Sequence, residues 1–213
     1  MSPIPPPSAA STSLLLFGAG GHGRVVADAA LLENRWSRIV AADRNLTACH
    51  HDLLPGVALL ELELARRLHP AIHIAIGNNL SREREAGVLG CDQLVSVVHP
   101  AANVSPFSQC GSGCFIAAGA VVAPGARLGM GVIVNHGAVV DHDVQIGDFS
   151  HIAPNATLGG AVSIGRRVLI GAGAVVLPSM MVSNDVIVGA GAVVIHPLTE
   201  PGTYAGVPAR KIL

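Results

Sequence analysis

The chain has 213 residues, of which 50% are hydrophobic but only 3% aromatic, with 25 glycines and a formal net charge of -1. This length allows one large or two small domains, and the balanced charge excludes a nucleic acid or an anionic membrane as an expected partner. Despite a positive mean hydropathy, no apolar stretch approaches the roughly 18 uninterrupted residues of a membrane span.

The first twelve residues are rich in Pro and Ser, lack Lys and Arg, and precede only a four-residue apolar run. They predict a disordered tail rather than an export signal, and therefore a cytoplasmic protein. No zinc-like paired spacing relates Cys49, Cys91, Cys110 and Cys114. We expect reduced, mostly buried thiols.

A glycine-rich turn follows the first apolar run. Residues 13–17 predict a strand, residues 18–23 form a G-x-G-x-x-G turn, and residues 24–33 have a helical pattern. The glycines permit the tight turn, and the helix N-terminus offers free N–H groups to phosphate. A second strand, residues 38–42, ends at Asp43, which is placed to hold a ribose hydroxyl. By default this pattern indicates NAD or FAD.

The α/β region is too short for a dinucleotide. Further strands are predicted at residues 72–76 and 94–98, and the region stops near residue 99. About 90 residues make one mononucleotide-binding half rather than the two that a dinucleotide spans. Nothing downstream is typical of a dehydrogenase. We therefore predict a Rossmann-like half domain over residues 13–99.

A six-residue repeat fills the second half of the chain. Stepping by six from Val104 to Val194 gives sixteen positions, all Val, Ile or Leu except Cys110. This period fits neither a helix nor a simple strand alternation, so it predicts a short strand and a tight turn repeated. A solenoid of purely structural role remains an alternative.

The repeat resembles the hexapeptide-repeat transferases over residues 104–195. The resemblance implies an all-β, left-handed parallel β-helix with three faces, eighteen residues per coil and homotrimers with active sites between subunits. Coils should stack about 4.7–4.9 Å apart. We therefore predict that residues 100–213 form a β-helix acyltransferase domain with a C-terminal segment.

Both halves together resemble the PglD/NeuD-like nucleotide-sugar acetyltransferases. The matching stretches are FGAGGHGRVV, Asp43, IGNN at 76–79 with Arg82, and HPAANV at 99–104. In that family the α/β domain holds the nucleotide of the sugar substrate. The resemblance implies substrate contacts at Gly20, His22, Gly23, Asp43 and Asn78. Alternatively, the glycines only serve the turn and His22 is a cap-region residue.

Polar residues interrupt the apolar repeat between Asn135 and Asp143. Acyl transfer needs a base, and histidine titrates near neutrality. His142 is the better candidate because acids flank it, and Asp143 or Asp141 can fix its tautomer. The family's catalytic segment resembles VVDHDVQIGDFSHIAP, which implies His142 as base, Asp143 as its orienting acid and Asn135 near the substrate amine. His136 is either an interface or substrate contact or structural padding.

Gly160 lies eighteen residues after His142, one coil along on the same side. Its N–H is thus placed to donate to the thioester oxygen, and the resemblance implies the same role. The resemblance also implies that His151 lies near the acetyl group and CoA, and that Gly171, Gly189 and Ala190 line the pantetheine groove. Arg210 and Lys211, and Arg166 or Arg167, are candidates for the CoA phosphates or are simply solvated charge.

These features predict an acetyl-CoA-dependent N-acetyltransferase that acts on the 4-amino group of a UDP- or GDP-linked sugar. The first alternative is O-acetylation of a sialic-acid-type sugar. A zinc hydratase like the γ-carbonic anhydrases is less favoured, because His136, His142 and His151 are spaced by six and nine residues. Residues six apart lie on successive faces and diverge, so no metal is expected. A non-catalytic trimeric scaffold is a further alternative.

Overall fold

The computed structural model describes residues 12–45, 52–68 and 71–212. The chain begins with a four-stranded parallel sheet of order β3-β2-β1-β4. The elements of this α/β domain are β1 (Thr12–Phe17), α1 (Gly21–Leu32), β2 (Trp36–Ala42), β3 (Ala58–Leu59), α2 (Leu62–Leu68), β4 (Ala71–Ile74) and α3 (Asn79–Leu89), followed by a 3₁₀ turn (Cys91–Gln93).

The order strand, glycine turn, helix, strand is confirmed, and so is the strand near residue 72. The predicted strand over 94–98 is confirmed only at Val97–Val98, and these two residues belong to the solenoid rather than to the α/β sheet. Only Leu94 bridges Ile72 of the α/β sheet, whereas Val97 and Val98 pair with Phe115 and Ile116. By composition, the apolar run LVSVV suits both the α/β sheet and the solenoid. Its pairing with the next coil makes Val97 and Val98 part of the solenoid. Coil stacking therefore begins at Val97.

The second half of the chain is a left-handed parallel β-helix, as predicted. Its strands are β5 (Val97–Val98), β6 (Asn103–Val104), β7 (Gln109–Cys110), β8 (Phe115–Ile116), β9 (Val121–Val122), β10 (Arg127–Leu128), β11 (Ile133–Val134), β12 (Val139–Val140), β13 (Gln145–Ile146), β14 (His151–Ile152), β15 (Thr157–Leu158), β16 (Ser163–Ile164), β17 (Leu169–Ile170), β18 (Val175–Val176), β19 (Met181–Val182), β20 (Val186–Val188), β21 (Val193–Val194), β22 (Gly202–Ala205) and β23 (Arg210–Lys211). The sixteen repeat positions all lie within these strands, and most are fully buried. Each buried aliphatic side chain stabilises the fold by about 1.5–3 kcal/mol.

The solenoid is a three-sided prism whose strands pair with a constant offset of eighteen residues from β5 to β19. We name the faces by what their outward side chains meet. The covered face carries the α/β domain, the valine face presents mostly valines, and the polar face presents mostly polar groups. The covered face consists of β5, β8, β11, β14, β17, β20, β22 and β23, the valine face of β6, β9, β12, β15, β18 and β21, and the polar face of β7, β10, β13, β16 and β19.

The turns of the solenoid follow one backbone rule. Every sixth residue from 113 to 191 has a positive φ, and half of these fourteen positions are not glycine. Where a residue other than glycine has the positive φ, the equivalent residue of the preceding coil is often glycine. A Cβ on Gly125, for example, would collide with the carboxylate of Asp143. The sequence thus makes room for Asp143, whose own φ is 60°. The left-handed conformation costs a non-glycine residue about 1 kcal/mol.

A buried arginine fastens the α/β domain to the covered face. Arg82 is 1% exposed and donates from Nε to the carbonyl of Gly131 (2.8 Å) and from Nη2 to that of Phe149 (2.7 Å). Its Nη1 donates to the carbonyls of Ile76 (2.9 Å) and Gly77 (3.0 Å). Phe115 and Ile133 of the covered face are buried in the same cluster as β1 and α1. The two domains therefore share a packed, hydrogen-bonded interface.

Two remaining sequence expectations concern cysteines and membranes. Cys91, Cys110 and Cys114 are free thiols; Cys114 is buried, whereas Cys91 and Cys110 are half-buried. Cys49 and the predicted tail, residues 1–11, lie outside the described residues. Within the described ranges, no helix has the length and apolar character needed to cross a membrane.

Candidate functional site

A cavity of about 460 Å³, called the strand-end cavity below, lies over the carboxyl ends of β1, β2 and β4. Gly20 and Gly21 line it at the start of α1, where Gly20 is the N-cap and provides no side-chain cap. The space beside both glycines is open, since a Cβ on either would meet nothing within 4 Å. The first N–H groups of α1 therefore face a space suited to an anion.

Asp43 lies in the same cavity, at the end of β2. Its Oδ2 accepts a hydrogen bond from the N–H of Ala19 (2.8 Å), and its Oδ1 accepts one from the N–H of Asn45 (2.9 Å). The carboxylate thus ties the glycine turn to the strand end. Each oxygen keeps a second lone pair, which is available to a ligand hydroxyl.

Two predicted substrate contacts lie elsewhere. Gly23 is buried in α1 and is not part of the cavity lining; a Cβ there would collide with the carbonyl of Gly18, so its small size serves packing. Asn78 caps α3, its Oδ1 accepting from the N–H of Ser81 (2.9 Å). Asn78 faces a second, neighbouring cavity instead.

Two half-buried histidines lie at the strand-end cavity: His22 lines it, and His151 lies beside His22. Burial lowers the pKa of His22 to about 3 and that of His151 to about 4, and their ring centroids are 6.3 Å apart. His22 packs edge-on against Phe115, and its Nε2 is buried without a hydrogen-bond partner among the described residues. The pKa of His73, which the sequence did not single out, is also lowered to about 4 by burial.

The second cavity, of about 360 Å³, lies between the start of α3 and the covered face. Gly77 lines both cavities, and His151 lines the second. Asn135 Nδ2 donates to His151 Nε2 (3.1 Å), while Asn135 Oδ1 accepts from the N–H of His136 (2.9 Å). These bonds fix the Asn135 amide. The two cavities together with His22, His151 and Asn135 are called the cavity half-site below.

A different corner of the prism, between the valine and polar faces, carries His142. Its Nδ1 lies 2.9 Å from Asp143 Oδ2, and its side chain is 60% exposed. The hydrogen bond to Asp143, followed by the charge of Asp141, raises the pKa of His142 above its ordinary 6.5. Asp143 therefore holds the imidazole in place and favours its protonated form.

Gly160 stacks directly on His142, one coil along. A Cβ on Gly160 would collide with His142 Nε2, so the glycine leaves space for the imidazole. The Gly160 N–H has no partner within the described chain. His142, Asp143 and Gly160 form what we call the corner half-site: one imidazole, its carboxylate and a free N–H.

The two half-sites lie on opposite sides of one chain. The corner half-site occupies the edge of the prism that is opposite the covered face, on which the cavity half-site is built. The width of the solenoid separates them. One chain alone does not bring His142 to the strand-end cavity.

The remaining predicted residues are scattered. Gly171, Gly189 and Ala190 lie along the corner between the covered and valine faces, in line with Asn135 and His136. Arg166 and Arg167 pair with Glu83, Arg167 also with Asp185 (2.6 Å), and Lys211 pairs with Glu200 (2.8 Å). Arg210 is exposed at the C-terminal end. In ranges 12–45, 52–68 and 71–212, no group of three or more His, Cys, Asp or Glu side chains is arranged to hold a metal.

Comparisons with known proteins agree on both halves. The PglD N-terminal domain family matches residues 13–88, and the bacterial transferase hexapeptide family matches residues 143–178. No curated protein matches the chain.

Solved structures resemble the chain over nearly its full length. The acetyltransferase domain of PglB from Neisseria gonorrhoeae, solved with acetyl coenzyme A, is 37% identical, with 95% of this chain and 100% of that chain covered and a TM-score of 0.87. A variant of the GDP-perosamine N-acetyltransferase from Caulobacter crescentus, solved with CoA and GDP-perosamine, is 31% identical, with coverages of 96% and 99% and a TM-score of 0.87.

Proposed function

The chain belongs to the PglD/NeuD-like family of nucleotide-sugar acetyltransferases, and we propose that it transfers the acetyl group of acetyl-CoA to the 4-amino group of a nucleotide-linked sugar. The related structures contain acetyl coenzyme A in one case and CoA with GDP-perosamine in the other. The observation that carries the proposal is the pairing of an exposed, acid-flanked imidazole with a free N–H one coil above it.

In the proposed reaction His142 acts as the general base. The amine nitrogen attacks the thioester carbonyl carbon, a C–N bond forms, and His142 Nε2 takes the proton of the amine. The Gly160 N–H donates to the oxyanion of the tetrahedral intermediate. When the C–S bond breaks, the proton passes from His142 to the departing CoA thiolate. Asp143 holds Nδ1 and stabilises the imidazolium between these steps.

The cavity half-site is proposed to hold the acceptor. The start of α1 at Gly20 and Gly21 faces the diphosphate, and Asp43 faces the ribose. Burial keeps His22 neutral, and its ring lines the cavity that would hold the acceptor. CoA would lie along the corner between the covered and valine faces, where Gly171, Gly189 and Ala190 would line its groove. Asn135 and His151 would then lie between CoA and the acceptor.

A homotrimer is proposed to join the two half-sites, because one chain holds them apart. The valine face offers a contact: Val121, Val139, Val175 and Val193 point outward and are only half-buried in the single chain. Apolar surface of this kind is typical of a subunit interface. If the corner half-site of one subunit lies against the covered face of the next, His142 meets the neighbour's acceptor. The proposed location is the cytoplasm.

Acetylation of a nucleotide-linked 4-amino sugar tests this function directly. The purified chain should release CoA thiol and form the amide with such a sugar, and should not form an ester with a free sialic-acid-type sugar. Ester formation without amide formation would contradict the proposal.

A matched pair of variants tests the acceptor cavity. In Gly21→Glu the side chain enters open space, and an acid in the first helical turn favours the helix. Its charge should repel the diphosphate, so acetylation should fall at least tenfold with an unchanged melting temperature. Gly21→Gln should retain most activity. Equal activity of the two variants would contradict this placement of the diphosphate.

A further inference from the structure

The far end of the strand-end cavity holds a cluster of two arginines and a glutamate. Arg44 directly follows Asp43, and Arg84 and Glu85 project from α3 on the opposite side; all three line the cavity. The Glu85 side chain is only 3% exposed, whereas those of Arg44 and Arg84 are 52% and 70% exposed. A buried carboxylate thus supports two guanidinium groups at the cavity wall.

The hydrogen bonds within the cluster engage both oxygens of Glu85 but only some of the arginine N–H groups. A ligand would therefore meet mainly hydrogen-bond donors. Arg44 Nε lies 3.2 and 3.1 Å from the two Glu85 oxygens, and Arg44 Nη2 lies 2.6 Å from Oε2. Arg84 Nη2 donates to Oε1 at 3.1 Å. The bond to Arg44 is the main cause of a lowered Glu85 pKa. Glu85 is therefore ionised, and both of its oxygens are engaged by the chain's own arginines.

Each arginine keeps N–H groups for a ligand. Arg44 Nη1 has no partner among the described residues, and neither do Arg84 Nε and Nη1. The Arg44 guanidinium also lies 5.8 Å from the centroid of the Phe17 ring, which limits its motion. The cluster is thus a held set of outward-facing donors.

The order of groups along the cavity places a nucleobase at this cluster. The N-terminus of α1 suits the diphosphate and Asp43 suits the ribose, as proposed above. The base leaves the ribose on the side away from the diphosphate. The arginines of the cavity lining are Arg44, which follows the ribose-facing Asp43 in the chain, and Arg84 on α3, so we place the base at this pair.

We propose that Arg44, held by Glu85 and assisted by Arg84, recognises guanine. This inference rests on the proposed function, and it makes the acceptor a GDP-linked amino sugar. Guanine presents two adjacent acceptors, O6 and N7, which match a guanidinium group. Adenine places an N–H donor beside N7, and cytosine presents an amino donor. In both cases a donor of the base would oppose an arginine N–H, which is also a donor. Uracil offers a single acceptor, O4, on the corresponding edge.

Calorimetric titration of the full chain with GDP, UDP, ADP and CDP tests the inference. GDP should bind about 10- to 100-fold more tightly than UDP, the discrimination expected of one bidentate arginine–guanine pair. Arg44→Met should remove most of this preference by weakening GDP binding alone. Arg66→Met is the matched control, because Arg66 lies on α2 outside the cavity lining and pairs only with Glu63 among the described residues.

Arg44→Lys separates base recognition from simple attraction to the diphosphate. Lysine keeps the charge but loses the planar pair of donors, so the GDP preference should fall as it does in Arg44→Met. If Arg44 only attracted the diphosphate, lysine would preserve binding, and Arg44→Met would weaken GDP and UDP equally. Either of those results overturns the guanine assignment.

The same titration distinguishes failure of this inference from failure of the proposed function. Wild-type binding of UDP as tight as that of GDP, with acetylation of a UDP-linked amino sugar, would overturn guanine recognition and leave the acetyltransferase intact. Absence of binding to any of the four nucleotides would overturn both.

Discussion

Histidines occupy both half-sites, but their surroundings move their pKa values in opposite directions. At the corner half-site His142 is 60% exposed, and the hydrogen bond to Asp143 raises its pKa. At the cavity half-site burial lowers the pKa of His22 to about 3 and that of His151 to about 4. His142 therefore combines exposure with a raised pKa, as suits a group that takes up and releases a proton, whereas His22 and His151 stay neutral. The surroundings thus suit His142 to proton transfer, and His22 and His151 to hydrogen bonding.

Removal of the exposed imidazole should have the largest effect. His142→Ala should lower kcat about 10²- to 10⁴-fold, because general-base catalysis contributes on that order. Nucleotide binding should be unchanged, since the cavity proposed to hold the nucleotide is lined by residues of the α/β domain and His142 would meet only the sugar amine. Steady-state kinetics and calorimetry measure the two quantities.

His196→Ala is the control for that substitution. His196 is an exposed histidine between β21 and β22, outside both half-sites, so its loss should leave kcat near that of the wild type. A His142→Ala enzyme with wild-type turnover would remove the distinction between the two groups of histidines.

Filling the space above the base should have the next largest effect. Gly160→Ala places a methyl group against His142 Nε2 and displaces the imidazole from the free N–H. We expect kcat to fall about 10²- to 10³-fold, as for loss of an oxyanion donor, with little change in melting temperature because the exposed ring can rotate away. Wild-type kcat in Gly160→Ala would mean that neither Nε2 nor the N–H takes part.

The carboxylate beside His142 should set the acidic limb of the pH profile. The base acts when deprotonated, so kcat/KM should fall as the pH drops through its raised pKa. Asp143→Asn removes the main cause of that rise, and the limb should move to lower pH. The maximal rate should fall only about tenfold, because the exposed pair is screened by solvent. An unmoved limb would show that another group titrates.

The buried histidines should instead control acid stability. A histidine whose folded pKa lies below its unfolded value stabilises the fold above the unfolded pKa, and loses this contribution as the pH falls toward the folded pKa. For His73 the window runs from 6.5 down to about 4, and its effect reaches at most about 3 kcal/mol. Urea unfolding should show this loss in the wild type and a shallower loss in His73→Gln. Equal slopes would contradict burial as the cause.

The solenoid was predictable because each six-residue repeat carries its own signal. An inward aliphatic residue is required at every strand, and the constant period fixes which residues stack. The strand at 94–98 was wrongly assigned because a short apolar run does not identify its partner. Its partners are Phe115 and Ile116, about eighteen residues on, and only the three-dimensional pairing selects them.

The candidate site was predictable where its residues are adjacent in sequence or lie at the same position of successive coils. His142 and Asp143 are adjacent, and Gly160 follows one coil later, so the spacing alone placed them together; their catalytic roles stay predictions. The sequence indicates Arg82 only as part of a stretch that resembles the family, since its partners Gly131 and Phe149 are 49 and 67 residues away. His73, Arg84 and Glu85 gave no local signal for the same reason.

The central claim is that each functional site takes its base from one subunit and its acceptor cavity from the next. His142→Ala damages the first half-site and Gly21→Glu the second, so each variant alone should keep at most about a tenth of the wild-type activity. Co-expressed in equal amounts, they should form mixed trimers in about three-quarters of cases, each with one intact site of three. About a quarter of the wild-type activity should then return. If the co-expressed variants stay as inactive as either alone, the two half-sites act within one chain and the account is wrong.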